Sequence, residues 1–418
     1  MLNLPPLVNN DPSLTKGDFL KLIQLSQEEY GDIFRLKFGK REFVFLTNPE
    51  LAKELLITQA KDFGKMGAGQ STTGLKTVLN NGLLTNTNYE LWKKQRAILK
   101  PFFTIKNINY LAEDIIEITN GFIKQMKQFD NETIDLEENM LELSHKIIYK
   151  MVFSLSAYEL LDYPLNVSLS LATLAKNKAK RASLEYDRVV YKLIEKRRQE
   201  DFKGYDFLAY MLAAQKEQGF SDQQLRDELL TVFAAGHEAT ANTLIWAFYI
   251  LGTMPEVKNK LLHQLEPIAI NKQITPADIK RLAYLDIFLK ELLRLYPPIP
   301  SAPRVALQDT KIAGFDILKD TKVFLSIFAN HMHPKYWQQP DVFRPERFLL
   351  RIARPAYMPF GMGERLCIGR NLALLEPSLI IPLVLLNLDF KILTKDVARQ
   401  VSISLKPRHS IKAKVQIR

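Results

Sequence analysis

The sequence contains almost no cysteine: Cys367 is the single one among 418 residues. One cysteine cannot form an internal disulfide, so a disulfide scaffold is excluded and a reducing compartment is favoured. It cannot build a zinc finger either. Basic stretches interleaved with aromatic residues are also missing, and we therefore expect no nucleic-acid partner.

The amino terminus lacks the features of a targeting segment. Its first residues, Met1-Leu2-Asn3-Leu4-Pro5-Pro6, have no charged side chain and form no apolar run. A signal peptide or an N-terminal membrane anchor is therefore not expected, and we predict a soluble, cytoplasmic protein without stable membrane insertion. The sequence also shows no internal repeat, low-complexity segment or linker, which favours a single domain over residues 1–418.

The charge of the chain is unbalanced. The formal net charge is +11, in a composition that is otherwise ordinary for a globular protein, with 47% hydrophobic and 25% charged residues. The excess is either spread over a large surface or arranged to dock an acidic partner, because surface charge of one sign steers association. Both interpretations stay open at this point.

The lone cysteine lies in an unusual stretch, Phe360-Gly361-Met362-Gly363-Glu364-Arg365-Leu366-Cys367-Ile368-Gly369. Glycines let the backbone turn tightly and approach a flat ligand closely. Arg365 brings a positive charge that favours thiolate over thiol, and a thiolate is a strong ligand for iron. The stretch predicts a tight loop that offers one sulfur to a planar cofactor. A buried structural cysteine beside a glycine-rich turn is the simpler interpretation of an isolated cysteine.

A second unusual stretch interrupts a long apolar segment. Residues 229–252 are apolar except around Ala235-Gly236-His237-Glu238-Ala239-Thr240. The length would suit a membrane span, but a His-Glu pair at its centre would be costly there. We therefore predict a buried central helix with function at the interruption. A zinc-protease helix is excluded because the second histidine it needs is replaced by Ala241.

The cysteine stretch resembles the haem-binding signature of the cytochrome P450 superfamily, with Phe, two glycines, Arg, Cys and Gly at the family's spacing. The resemblance extends over essentially residues 15–418 in the family's order. It implies a mainly α fold with a smaller β portion, the cytochrome P450 fold. Relatives build a two-helix lid over the substrate pocket, but this chain has only about 30 residues for it, 157–186, which span about 45 Å at most if wholly helical. We therefore expect a shortened lid region there.

The same resemblance implies the cofactor and the residues that bind it. The cofactor would be haem b (heme b, iron protoporphyrin IX), with Cys367 as the iron ligand. A further buried network of Glu291, Arg294 and Arg347 is expected, as in the family. The residues implied to surround the haem or reach its propionates are Trp92, Arg96, Arg304, Phe360, Gly361, Arg365 and Gly369.

The interruption at 235–240 resembles the oxygen-binding groove of the family. Ala235 and Gly236 would leave room for dioxygen, and Glu238 with Thr240 or water would relay protons. Most relatives carry threonine directly after the acid, where this chain has Ala239. The hydroxyl of Thr240 comes one residue later, which is about 100° further around a helix.

These resemblances imply a haem-thiolate monooxygenase that oxidises a small apolar molecule with electrons from a separate protein, an acidic ferredoxin or a flavoprotein. The candidate docking charges are Lys93, Lys94, Lys100 and Arg370. Ala239 also permits a second interpretation, a peroxide-using or hydroperoxide-rearranging enzyme. A haem sensor or carrier without turnover is a third.

Local patterns predict several elements directly. The apolar spacing predicts a helix from Thr15 or Lys16 to Tyr30, and the alternation over residues 33–47 predicts two strands that turn at Gly39-Lys40. Residues 311–317 and 321–327 read as strands, and so does the tail from Asp389. Pro377 and Pro382 predict a break or kink in the helix after the cysteine.

Overall fold

The computed structural model describes residues 2–9, 18–66, 73–155, 159, 162–165, 175–269, 273–350 and 356–418. Thr15 and Lys16 lie outside the described residues, and so does most of the predicted lid region at 157–174. From Lys176 onward that region is helical.

The described residues are mainly helical, which confirms the predicted fold class. The α-helices, in chain order, are α1 (Phe19–Tyr30), α2 (Pro49–Lys53), α3 (Thr73–Leu79), α4 (Tyr89–Leu99), α5 (Ile105–Ile108), α6 (Ala112–Met126), α7 (Leu136–Phe153), α8 (Lys176–Gln199), α9 (Phe207–Gln218), α10 (Asp222–Thr253), α11 (Pro255–Leu265), α12 (Pro276–Ile279), α13 (Ala283–Leu295), α14 (Ile327–Met332) and α15 (Arg370–Asn387).

The strands form small sheets. In chain order they are β1 (Ile33–Phe38), β2 (Arg41–Leu46), β3 (Phe63–Gly64), β4 (Thr133–Asp135), β5 (Ser301–Ala306), β6 (Thr310–Ile312), β7 (Phe315–Ile317), β8 (Lys322–Ser326), β9 (Leu388–Ile392), β10 (Arg399–Val401), β11 (Leu405–Pro407) and β12 (Lys412–Ile417). The largest sheet has the order β1-β2-β8-β5-β3, and the others are β4-β12-β9, β6-β7 and β10-β11.

Helix and strand ends follow the local signals closely. Asp18 caps α1 by accepting hydrogen bonds from the amides of Leu20 and Lys21, and the helix ends at Gly31, whose φ is +84°. The predicted end at Tyr30 is therefore correct, whereas the predicted start at Thr15 or Lys16 is wrong, because Asp18 is extended and the helix begins at Phe19. The predicted hairpin at residues 33–47 is confirmed as β1 and β2. The predicted single strand over 311–317 is instead the hairpin of β6 and β7.

The chain divides into two compact units. Unit 1 contains residues 1–66, 290–367 and 399–406, and unit 2 contains residues 67–289, 368–398 and 407–418. The core of unit 1 packs the five-stranded sheet against apolar residues of α2, such as Leu51. In unit 2 the long helix α10 packs on α7 and α15. The prediction of a single domain over the whole chain stays a prediction.

The helix α15 contradicts one expectation. The predicted break is not found, because α15 is continuous from Arg370 to Asn387 with Pro377 and Pro382 inside it, and the alternative, a kink, stays a prediction. Nearly all of its second half is buried against neighbouring helices of unit 2, and this packing offsets the two amide hydrogen bonds that the prolines remove. The hydroxyl of Ser378 also donates to the carbonyl of Leu374 at 2.6 Å.

Among the described residues, α15 is the one helix long and apolar enough to cross a membrane. Two thirds of that segment, 67%, is buried inside the protein, and it carries the buried carboxyl group of Glu376. We interpret it as an interior helix. The helix α10, which the sequence predicted as a buried central element, is also mostly buried.

Candidate functional site

The cysteine stretch forms a tight loop in unit 1. The amide of Cys367 donates to the carbonyl of Phe360 at 3.0 Å, and the amide of Gly361 donates to the carbonyl of Met358 at 2.9 Å. These bonds fold the segment back on itself and leave Cys367 exposed. Exposure is unusual for a free cysteine, which as a structural residue is normally buried.

Two glycines of this loop have backbone conformations that other residues rarely adopt. Gly361 has a φ of +71° and Gly363 a φ of +70°. At Gly363 a Cβ would also lie 2.2 Å from the carbonyl oxygen of Leu56, whereas at Gly361 nothing lies within 4 Å. The loop therefore needs glycine at 361 because of its positive φ, and at 363 because of both its positive φ and the nearby carbonyl of Leu56.

Three cations gather near the loop in unit 1: Lys65, Arg304 and Arg365. Burial, together with the positive charges of Arg304 and Arg365, lowers the pKa of Lys65 to about 7. Burial, together with Arg365, lowers the pKa of Arg304 to about 10. Like charges in a partly desolvated place favour an anionic partner. The cluster fits a ligand that carries carboxylates.

Lys65 was not predicted from the sequence. It directly follows β3, whose residues Phe63 and Gly64 pair with Ala306 and Val305 of β5. Continued by one residue, this antiparallel register brings Lys65 level with Arg304. The pairing of two strands more than 200 residues apart has no local signal, so only the fold reveals the third cation.

The predicted network of Glu291, Arg294 and Arg347 is confirmed and buried. Arg294 forms two hydrogen bonds to the carboxylate of Glu291, at 2.8 and 2.9 Å, and Arg347 donates to the same carboxylate at 2.9 Å. Arg347 also donates to the carbonyls of Gln338 and Val342. The network ties α13 to the segment that precedes the cysteine loop.

In unit 2, α4 carries the predicted pair of Trp92 and Arg96. The side chain of Asn88 caps this helix. Trp92 is buried, and the guanidinium carbon of Arg96 lies 5.7 Å from the centre of its ring. The two side chains share one face of the helix, as the spacing predicts. Their role towards haem carboxylates stays a prediction. Gly369 immediately precedes α15, and an atom of Phe103 lies 3.9 Å from its Cβ position.

The predicted groove residues lie at the middle of α10. Ala235 is exposed, and Gly236 and Glu238 are half-buried. A Cβ at Gly236 would lie 2.3 Å from the Cδ1 atom of Ile148 on α7, so the missing side chain at this position lets the two helices approach. That Gly236 also leaves room for dioxygen stays a prediction.

Thr240 has two close oxygen neighbours. Its hydroxyl oxygen lies 3.0 Å from the carbonyl oxygen of Gly236 and 2.5 Å from Oε2 of Glu376 on α15. Burial raises the pKa of Glu376 to about 7, and the hydrogen bond with Thr240 opposes this shift. The sequence pattern pointed to Thr240 but assigned no role to Glu376. Its part in the site was missed because it lies 136 residues away in the chain.

The residues of unit 1 fit the cofactor that the sequence implied. An exposed sulfur, a loop with left-handed glycines and three cations suit a planar, carboxylate-bearing group with one metal ion. Among the described residues, no group of three or more histidine, cysteine, aspartate or glutamate side chains is placed to hold a metal ion. A single sulfur ligand instead suits a metal whose other ligands belong to the cofactor.

Comparisons with known proteins agree with this geometry. The sequence model of the family described as Cytochrome P450 matches residues 3–164 and 155–415. The chain is 27% identical over 378 residues to cyclooctat-9-en-7-ol 5-monooxygenase of Streptomyces melanosporofaciens, covering 84% of this chain and 81% of that protein. It is 26% identical over 410 residues to Protein LUTEIN DEFICIENT 5, chloroplastic, of Arabidopsis thaliana, covering 87% and 68%.

A solved structure is also similar over almost its whole length. The crystal structure of cytochrome P450DA heme domain aligns with a TM-score of 0.88 at 25% sequence identity, covering 100% of this chain and 97% of that chain.

Proposed function

This chain belongs to the cytochrome P450 family of monooxygenases, and on that basis we propose that it inserts one oxygen atom of O2 into a small apolar organic molecule, with electrons from a separate redox protein. The observation that carries the proposal is the Cys367 loop. It presents one exposed sulfur, and Lys65, Arg304 and Arg365 cluster near it in the same unit.

We propose haem b as the cofactor, which supplies oxygen activation at its iron when bound. Cys367 would ligate the iron as thiolate, and Gly361 would let the backbone lie close to the ring. Phe360 and Gly369 keep the haem-binding role that the family resemblance implies. The cations would neutralise the propionates by charge-assisted hydrogen bonds. The cations are Lys65, Arg304 and Arg365 of unit 1. Trp92 and Arg96 of α4 keep the role that the family resemblance implies, since an indole N–H and a guanidinium can donate to a carboxylate.

Side chains at the centre of α10 would make room for dioxygen and carry protons to it. The small side chain of Ala235 is exposed there, which supports its proposed place beside dioxygen, together with Gly236. Glu238 is half-buried and would carry protons inward. Thr240 is proposed to assist through its hydroxyl, directly or through water, although that hydroxyl is already close to Glu376.

The electron donor is proposed to be an acidic ferredoxin or a flavoprotein. Lys93, Lys94, Lys100 and Arg370 are all exposed, and the chain has a net charge of +11. Exposed cations steer an acidic partner and make its association sensitive to salt. We propose a cytoplasmic location, which agrees with the single cysteine and the reducing environment it favours.

A second candidate function has a specific observation in its favour. Ala239 has no hydroxyl, and the hydroxyl of Thr240 is bound to Gly236 and Glu376. An enzyme that uses peroxide or rearranges a hydroperoxide needs no proton delivery to dioxygen, so it would tolerate both features. A haem sensor or carrier without turnover is a third possibility that the same experiment addresses.

The first experiment is the carbon monoxide difference spectrum of the reduced protein, with Cys367→Ser as the control. A strongly red-shifted Soret band that the variant loses would support thiolate ligation. The same band in Cys367→Ser would overturn the ligand assignment. Turnover assays would then separate the candidates. Product formed with O2 and a reductant system supports the monooxygenase, and product formed with peroxide alone supports the peroxide-using or hydroperoxide-rearranging enzyme. Tight haem binding without product supports the sensor or carrier.

A further inference from the structure

His331 lies on α14, fully buried in unit 1, and both of its ring nitrogens have a partner. Nδ1 lies 3.1 Å from the carbonyl oxygen of Arg294 on α13. Nε2 accepts a hydrogen bond of 2.9 Å from the amide of Met358. Its ring also stacks on that of Tyr357, with the centroids 5.5 Å apart.

The two partners fix the state of the imidazole. A carbonyl oxygen can only accept, so Nδ1 must carry a hydrogen towards Arg294. A backbone amide can only donate, so Nε2 must be unprotonated towards Met358. Neutral histidine with its hydrogen on Nδ1 satisfies both bonds, whereas a doubly protonated ring would oppose the N–H of Met358.

Met358 is the point at which the cysteine loop begins. Its amide binds His331, and its carbonyl accepts the hydrogen bond of Gly361 at 2.9 Å. Phe360 in turn accepts the amide of Cys367 at 3.0 Å. Three successive hydrogen bonds therefore lead from the imidazole to the backbone of the cysteine.

On the other side, His331 is bound to the ionic network. Arg294 donates from Nη1 to the carbonyl of His331 at 2.9 Å and accepts from its ring through its own carbonyl. Arg294 is itself held by Glu291, which also binds Arg347. His331 is thus the side chain through which this rigid network contacts the start of the loop.

We propose that neutral His331 is the positioning residue that holds the start of the Cys367 loop against α13, and that protonating it releases the loop. One consequence of the proposal, the loss of the thiolate-bound haem in the spectrum, rests on the proposed function. His331 is thus a positioning residue, since its imidazole acts through the backbone of Met358.

Electrostatics support the neutral state. Burial, followed by the positive charge of Arg294, lowers the pKa of His331 to about 3. Among the described residues, Arg294 is the charged group that acts on His331. Beyond it lie Glu291 and Arg347, and the three together carry one net positive charge. Tyr357 is the titratable group stacked on the ring. An added proton on His331 would place a second buried cation beside Arg294.

The test uses the haem-bound protein and three variants. His331→Phe removes both hydrogen bonds, His331→Gln keeps one donor and one acceptor without titrating, and His333→Phe is the matched control. His333 lies two residues away and is also buried, but its ring binds Asp32 and the amide of Lys335 instead. The first measurement is hydrogen–deuterium exchange resolved at the Met358 amide.

We expect exchange at Met358 to rise on the order of tenfold in His331→Phe, because one buried hydrogen bond is lost, and to stay near the wild-type rate in His331→Gln and His333→Phe. Unchanged exchange in His331→Phe would overturn the proposal. So would an equal rise in His333→Phe, because the effect would then be general loosening.

The second measurement is the carbon monoxide difference spectrum during acidification. We expect the thiolate band to persist to lower pH in His331→Gln than in the wild type, since the amide cannot be protonated in this range. Identical acid profiles would overturn the role of protonation. A wild type without any thiolate band would reject the proposed function instead, while the exchange measurement would still decide whether His331 holds the loop.

Discussion

The hydroxyl oxygen of Thr240 lies 2.5 Å from the carboxyl oxygen Oε2 of Glu376, and both side chains are buried. The same hydroxyl lies 3.0 Å from the carbonyl of Gly236. A hydroxyl has one hydrogen, and a carbonyl can only accept. When Glu376 is ionised, Thr240 donates its hydrogen to the carboxylate. When Glu376 holds a proton, it can donate to Thr240 while Thr240 donates to Gly236.

Glu376 should therefore make stability depend on pH. Its pKa is raised from 4.5 to about 7 by burial, so the folded protein binds one more proton than the unfolded chain between these values. Its contribution is full below pH 4.5 and is lost as pH rises towards 7, by about 3 kcal/mol.

Glu376→Gln should abolish this loss of stability with rising pH, because the amide can still donate to Thr240 but does not titrate. The check is the free energy of unfolding in denaturant at several pH values for the wild type, Glu376→Gln and the exposed control Glu217→Gln. A wild-type slope that persists in Glu376→Gln would show that other groups cause it.

Ala239→Thr should increase the product formed per reductant consumed. The substitution restores a hydroxyl directly after Glu238, whereas the hydroxyl of Thr240 is engaged with Glu376. Ala239→Val, which has a similar shape but no hydroxyl, is the matched control. Measuring product and reductant together gives the coupling ratio. Unchanged coupling in Ala239→Thr would mean that another route already delivers protons. An equal gain in Ala239→Val would mean that the shape of the side chain, and not its hydroxyl, improves the coupling.

Gly363→Ala should disrupt the cysteine loop more than Gly361→Ala does. Both residues have positive φ, which costs a non-glycine residue about 1–2 kcal/mol. At Gly363 the new methyl group also meets the carbonyl of Leu56, for a combined cost of about 2–5 kcal/mol. Thermal unfolding and the amount of bound haem measure both effects. Equal losses in the two variants would mean that φ alone limits the loop.

Glu291→Gln should destabilise the protein by about 3–5 kcal/mol, because Arg294 and Arg347 lose the buried carboxylate between them. The control is Arg181→Gln in α8. It breaks an exposed ion pair whose side chains are 85% and 59% accessible and should cost less than about 0.5 kcal/mol. Denaturant unfolding compares the two. A small loss in Glu291→Gln would show that the two arginines find other partners.

Lys65→Gln should weaken retention of the haem. If Lys65 binds a propionate, removing this charge loses about 1.5–3 kcal/mol, so haem should transfer to an acceptor protein about 10- to 100-fold faster. Lys61→Gln, four residues earlier and exposed, is the control. Equal transfer rates in the two variants would exclude Lys65 from the cofactor site.

The sequence alone determined the features that depend on short spacings. The loop around Cys367 follows from glycines and an arginine within ten residues, and the end of α1 follows from the single residue Gly31. Trp92 and Arg96 share a face because the helical period places them there. Such features need no knowledge of distant residues.

The tertiary structure decided everything that depends on distant partners. Strand pairing places Lys65 level with Arg304. The hydroxyl of Thr240 forms a hydrogen bond with Glu376 on another helix. The proline-containing α15 stays continuous because it is packed inside unit 2. Burial sets the strength of interactions between charges, of hydrogen bonds and of apolar contacts. It arises only when segments far apart in the chain pack together.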